Sequence, residues 1–139
     1  MPLTLEIVTP ERKVLSDEVE HVVLPTQEGG EIDVLPGHIP LMTMIEPGEL
    51  RYFKEGKVES IAIDKGFIEV IGDTVSVLTE AAIEVHAIDT AALDAARARA
   101  QEALAEARAS GEDPEVLEQL ETQARFAIVQ KIIKESKSR

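Results

Sequence analysis

Cysteine is absent from the 139 residues, so neither disulfides nor thiolate metal sites are available, and the chain suits a reducing compartment. Tryptophan is absent as well, and aromatic residues make up 3 % of the chain, so any core must be aliphatic. Cations are scarce. The 14 Lys and Arg face 27 Asp and Glu, a formal net charge of -13, which argues against a general nucleic-acid binder because phosphate contacts need clustered basic groups. No apolar run approaches the roughly 18 residues a membrane span requires. Met1-Pro2-Leu3-Thr4-Leu5-Glu6 lacks the basic start and long apolar centre of a secretion signal. The expectation is a soluble protein whose membrane association, if any, runs through partners.

Catalytic patterns are equally sparse. No Gly-x-x-x-x-Gly-Lys-Ser/Thr phosphate loop occurs, and Gly29-Gly30 is followed by neither the lysine nor the helix of such a loop, which leaves it a turn. His21, His38 and His86 are scattered rather than set at a metal-ligand spacing, and no His-x-His pair supports a cupin-like enzyme. No serine stands in an arrangement that justifies a triad. In a chain this acidic, any chosen pair of carboxylates is uninformative. The residues give catalysis no support.

What is present is a series of short strand signals. Leu3, Leu5 and Ile7 alternate with Thr4, Glu6 and Val8 up to Pro10, the pattern of a half-buried strand. Val14-Leu15 and Val19 to Leu24 follow, the latter ended by Pro25. The stretch from Glu28 to Thr43 reads as a Gly-Gly turn, a short apolar run and a rigid Pro36-Gly37-His38-Ile39-Pro40 corner. There the His38 imidazole either caps local backbone groups or contacts a partner. Leu50 to Phe53 and Val58 to Ile63 flank Lys54-Glu55-Gly56-Lys57, and Phe67 to Ile71 and Val75 to Leu78 flank Gly72-Asp73-Thr74; both read as hairpins. Strands punctuated this often predict a sandwich or barrel of antiparallel sheets.

After Glu80 the character changes. Eleven alanines lie between Ala87 and Ala109 with no Gly or Pro, which favours helix by propensity alone. Asp89 or Thr90 caps its start, Ser110-Gly111 stops it, and Asp113-Pro114-Glu115 opens a second helix. A short link forces the two helices antiparallel. The first presents Leu93, Ala96, Ala100, Ala103, Leu104 and Ala107; the second presents Leu117, Leu120, Ala124, Ala127, Ile128 and Ile132 at spacings of three and four. A seam of small residues buries little apolar area, so the hairpin is expected to be weakly held and able to leave the sandwich. The predicted fold is mainly β with α: an antiparallel two-sheet β-sandwich over residues 1–86, then an antiparallel two-helix hairpin over residues 87–139. Nearly all the negative charge falls in the first part, while Lys131, Lys134, Lys137 and Arg139 against Glu135 make the last nine residues +3. Such a tail suits an acidic protein surface, or simply complements a helix C-terminus.

Taken in order, the Glu28-Gly29-Gly30-Glu31-Ile32-Asp33-Val34-Leu35-Pro36-Gly37-His38-Ile39-Pro40-Leu41 segment, the Pro47-Gly48-Glu49-Leu50 turn and Lys65-Gly66-Phe67-Ile68-Glu69-Val70, followed by a helical hairpin, resemble the epsilon subunit of bacterial and chloroplast F-type ATP synthases. The likeness runs the whole chain in order and length. It implies a non-catalytic rotor part that joins the gamma shaft to the membrane ring of c subunits and couples proton flow to ATP synthesis. Carried over by position, Glu31 and its turn would face the polar loops of the c-ring, and His38 would lie near gamma. Asp33 and Val34 stand where many relatives have smaller or neutral residues. The resemblance also implies a peripheral place on the cytoplasmic face of a bacterial inner membrane, the stromal face of a thylakoid being the alternative.

Regulation is the second role the resemblance implies. The hairpin folds against the sandwich or extends along gamma, where its basic end, Lys131, Lys134 and Lys137, would meet the catalytic beta and alpha subunits and hinder hydrolysis. No cofactor is required, but regulatory ATP holds the compact state in some relatives through an Ile/Leu-Asp-x-x-Arg-Ala motif. Leu93-Asp94-Ala95-Ala96-Arg97-Ala98 matches it in full. Tight-binding relatives add two arginines four residues apart on the second helix; here Arg125 fills one place and Val129 stands in the other. One missing charged contact of about 1.5–3 kcal/mol weakens binding by roughly one to two decades. An independent β-sandwich binding module with a dimerising hairpin explains the patterns almost as well, but not the specific corner.

Overall fold

The alternation that opens the chain recurs strand after strand. The structure, a computed structural model, describes residues 2–27 and 30–137, the side chain of Lys137 excepted. Readings that fall on Glu28, Gly29 and Arg139 lie outside the described residues. The strands are β1 (Leu3–Val8), β2 (Lys13–Val19), β3 (His21–Pro25), β4 (Glu31–Val34), β5 (Leu41–Ile45), β6 (Gly48–Lys54), β7 (Lys57–Ile63), β8 (Gly66–Ile71), β9 (Thr74–Thr79) and β10 (Ala82–Glu84). A single 3-10 turn, Val85–Ala87, precedes helices α1 (Thr90–Ala109) and α2 (Pro114–Lys137). Met1–His86 and Ala87–Arg139 form two compact units.

In the first unit two five-stranded sheets pack face to face, in the orders β2-β1-β9-β8-β5 and β10-β7-β6-β3-β4. Period-two alternation puts Leu3, Leu5 and Ile7 of β1 inside with Ile68, Val70, Val75 and Val77, against Leu24, Leu50, Ile61 and Ile63 of the other sheet. Each such side chain contributes about 1.5–3 kcal/mol on burial, so a core nearly free of aromatics still suffices. One pairing departs from the antiparallel expectation: β1 runs parallel to β9, with Leu5 beside Val75. No hairpin links those two strands, so no turn dictates their direction. Both predicted hairpins form. Glu55 and Gly56 have φ of 52° and 75°, the paired positive values of a tight two-residue hairpin turn, and Lys54 pairs with Lys57. An ion pair between Lys54, at the end of β6, and Asp17 of the edge strand β2 ties the two sheets together.

In the second unit, the Asp89 carboxylate caps α1 by accepting from the Ala91 and Ala92 amides at 3.0 and 3.2 Å. Gly111, at φ 70°, follows the Ser110 C-cap, and Asp113 accepts from the Glu115 amide at 3.2 Å at the start of α2. Leu93 and Ala107 are buried on α1, and Ala127 and Ile133 on α2. Two expected seam residues are not in it: Ile128 and Ile132 are exposed, Ile132 at 61 %. Repeated steps of four drift off a 3.6-residue period, so the line through Leu117, Leu120, Ala124 and Ala127 continues at Lys131 rather than Ile132.

Candidate partner-binding surfaces

Three places carry side chains whose arrangement exceeds what folding requires. The first lies on the outer face of the β1-containing sheet. Register aligns Met44 of β5 with Phe67 of β8, Phe67 with Leu78 of β9, and Leu78 with Val8 of β1. Met44, Phe67 and Leu78 are exposed, as is Met42 at 65 %, two residues along the same face of β5. This apolar row borders a groove of about 570 Å³ that also touches Thr9, Pro10 and Gly66. A contiguous exposed apolar strip of this kind on a small domain marks an interaction surface.

Gly66 gives the groove its floor. A Cβ built there would lie 1.9 Å from the Leu78 carbonyl oxygen and 2.8 Å from Thr79 Cα, so only glycine lets β8 run this close to β9. The buried Thr79 hydroxyl donates to the Asp64 carbonyl at 2.8 Å, fixing the same corner from the other strand.

A polar lattice on the outer face of the other sheet forms the second place. Glu31 accepts two hydrogen bonds from the Arg51 guanidinium, both at 3.0 Å, and Arg51 Nε stands 3.9 Å from Glu49. His21 Nδ1 and Asp33 Oδ1 are 2.8 Å apart, and the imidazole stacks on Phe53 with centroids 3.9 Å apart and planes 8° from parallel. Glu31, which the resemblance places toward the c-ring, is engaged with Arg51, twenty residues away, and keeps half of its side chain exposed. The adjoining corner is a turn from Leu35 to His38 with Pro36 and Gly37 at its centre, Gly37 at φ 82° and the His38 amide donating to the Leu35 carbonyl at 3.1 Å. His38 Nδ1 lies 2.7 Å from the Ile39 carbonyl oxygen, the local backbone role its position allowed. Beside it Leu35 and Ile39 are exposed, Ile39 at 75 %.

The third place is the hairpin motif. Leu93 is buried, Asp94 and Ala98 are exposed, and Arg97 is half-buried. Asp94 pairs with Lys131 at 3.2 Å, and Arg108 with Glu121 at 3.0 Å. Both pairs are those of antiparallel helices; they differ by four residues in register, so Arg97 is level with the turn of α2 from 128 to 132, and Arg125 lies on the hairpin-loop side of it. Arg97 Nε is buried without a hydrogen-bond partner among the described residues. Lys131, assigned to the tail by sequence, is thus a cation of α2 that meets the motif. The drift of the apolar line toward position 131 is the signal that could have placed it. Lys134 is half-buried, and the Lys137 side chain lies outside the described residues.

Residues 2–85 match the family described as ATP synthase, Delta/Epsilon chain, beta-sandwich domain. The chain belongs to the ATP synthase epsilon-chain family. This family member is 44 % identical to the ATP synthase epsilon chain of Herpetosiphon aurantiacus over 81 % of its own length and 82 % of that protein. It is 48 % identical to the ATP synthase epsilon chain of Syntrophobacter fumaroxidans, over 76 % of its length and 78 % of the relative. Among solved structures it is similar to a chain of the Euglena gracilis mitochondrial ATP synthase, in an assembly of OSCP, F1 and c-ring, with a TM-score of 0.65 and 27 % identity over 95 % of this chain and 81 % of that one. The sandwich and helical pair expected of an epsilon chain are both present. Among the described residues, no helix is long and apolar enough to cross a membrane, and no cluster of three or more His, Cys, Asp or Glu could hold a metal ion.

Proposed function

We propose that this epsilon chain is a non-catalytic rotor subunit that transmits torque between the gamma shaft and the c-ring, coupling proton flow to ATP synthesis. The observation that carries the proposal is the apolar row of Met44, Phe67, Leu78 and Val8. It is a ready-made, desolvatable face on a domain that spends none of it internally. Gamma docks there, and the His38 corner lies near gamma by the family resemblance. The Glu31–Arg51 lattice and its turn face the ring, where charge supplies register and steering more than affinity. The Arg51 Nη2 contacts to both Glu31 oxygens and the Pro36-Gly37 turn stiffen the lattice and its corner, and a stiff surface passes torque where a loose one dissipates it.

The helical hairpin adds the regulatory part: it restrains ATP hydrolysis when its basic end engages the catalytic beta and alpha subunits. ATP is the ligand that fits the Leu93–Ala98 motif, through Arg97. The chain sits peripherally on the cytoplasmic side of the membrane, held by the complex. Co-purification tests the docking face. Met44→Glu with Phe67→Glu places two carboxylates in the row without touching the core, and is expected to abolish capture by gamma while leaving the circular dichroism unchanged. Retained capture by a folded double variant would remove the row from the interface and the proposal with it.

A further inference from the structure

A helical hairpin is tied at one end by its own loop. At that end the α1–α2 pair is held by Ser110 to Asp113 and by the Arg108–Glu121 ion pair. The opposite end has no covalent link between the helices, and there Asp94 pairs with Lys131. The apolar seam is thin at that end: α1 offers mostly alanine beside the buried Leu93, Ile128 and Ile132 of α2 are exposed, and the buried Ile133 lies about 200° round α2 from Lys131. A directional ion pair placed where the seam is thin and the chain is free to splay acts on opening more than the same pair near the loop would.

The chemistry of Lys131 adds a second consequence. Its ammonium is also one of the cations at the basic end of the chain, and it cannot hold Asp94 and an acidic partner surface at once. We propose that Asp94 and Lys131 form a clasp that closes the open end of the hairpin and withholds Lys131 from acidic partners until the helices part. The link to inhibition rests on the regulatory role proposed above; the clasp itself does not. In this arrangement Asp94 serves the ligand-free chain, which adds to whatever part the motif plays toward a nucleotide. Arg97, one turn from Asp94, and Lys134 and Glu135, one turn from Lys131, are charged groups near the pair. Neutralising Asp94 removes the attraction across the open end.

Absence of cysteine makes the test direct, because Ala91→Cys and Ser136→Cys, both at exposed positions at the open end, take spin labels in the full-length chain without background. Pulsed electron-electron distance measurements then report closed and open populations. In Asp94→Asn and in Lys131→Gln the open-to-closed ratio is expected to rise about 1.5- to 5-fold at low salt, the range of a partly exposed ion pair. The reversed pair, Asp94→Lys with Lys131→Asp, is expected to restore closure, and added salt is expected to open the native chain but neither single variant. Populations that are identical in all four proteins, or a reversed pair that stays as open as the singles, would overturn the clasp. A parallel assay in the assembled ATPase separates the two readings: if the distances respond while hydrolysis by the Asp94→Asn complex equals the native rate, the clasp stands and the regulatory role falls.

Discussion

Replacing Gly66 by alanine isolates a steric demand that has nothing to do with backbone dihedral freedom. An added Cβ would sit 1.9 Å from the Leu78 carbonyl oxygen, 2.8 Å from Thr79 Cα and 2.9 Å from the Leu78 carbonyl carbon. All three are main-chain atoms of β9, so no rotamer change relieves the clash; β8 and β9 must separate by roughly an ångström where Gly66 pairs with Thr79. Overpacking that flexible side chains absorb costs about 1–3 kcal/mol, and a clash with a strand backbone belongs at or above the upper end, about 3 kcal/mol. For a domain of this size, with a urea m-value near 1–1.5 kcal/mol per molar, the midpoint is expected to fall by about 2–3 M. Gly72→Ala is the matched control. Gly72 has φ 58° and open space around it, so alanine there incurs only the left-handed backbone cost, about 1 kcal/mol, and under a molar of midpoint. Equilibrium unfolding of both variants decides the matter. A Gly66→Ala midpoint equal to or above that of Gly72→Ala would refute the close-approach argument.

The remaining expectations concern charge, the hairpin and its ligand. A hydrogen bond from Lys54 holds the Asp17 carboxyl below its ordinary range, and the same bond raises Lys54. The Asp17 share is present above the unfolded value of about 3.9 and is lost as pH falls through the lower folded value; the Lys54 share is present below about 10.4 and is lost as pH rises through the higher folded one. Denaturation midpoints of native protein and Lys54→Met should therefore differ most between about pH 5 and 9 and converge toward both extremes; a difference independent of pH would sink the assignment. Removal of the residues after Ile88 is expected to leave assembly intact and raise ATP hydrolysis, with an unchanged rate counting against the inhibitory role. Arg97→Ala is expected to weaken ATP binding by roughly ten- to a hundredfold in calorimetry, the worth of a charged phosphate contact; equal affinities would take Arg97 out of the site.

Legibility in the sequence followed the range of each interaction. Asp89, Gly111 and Asp113 could be read as caps because a cap is a contact within three or four residues. The Glu55-Gly56 turn and the Pro36-Gly37 corner were readable for the same reason. Arg51 against Glu31, the close pass of Gly66 over Leu78, and the stacking of His21 on Phe53 join residues 12 to 32 apart, and nothing local encodes them. Misplacing Ile128 and Ile132 is a different failure: the spacing was right residue by residue, but the small drift of a four-residue step accumulates until lysine faces the seam. That same drift brings Lys131 to Asp94.

The parallel alignment of β1 with β9 has a consequence for how the protein comes into being. Leu3–Val8 sits between β2 and β9, so the first strand synthesised cannot acquire its second neighbour until Thr74–Thr79 has been made. The sandwich must hold its opening segment in waiting across almost its whole length, and the entropy of closing that loop is met before the contact rewards it. The hairpin, whose contacts are between sequence neighbours, is under no such delay. A shortened amino terminus would therefore not trim an edge but remove an inner rib, orphaning Lys13–Val19 from the rest of its sheet.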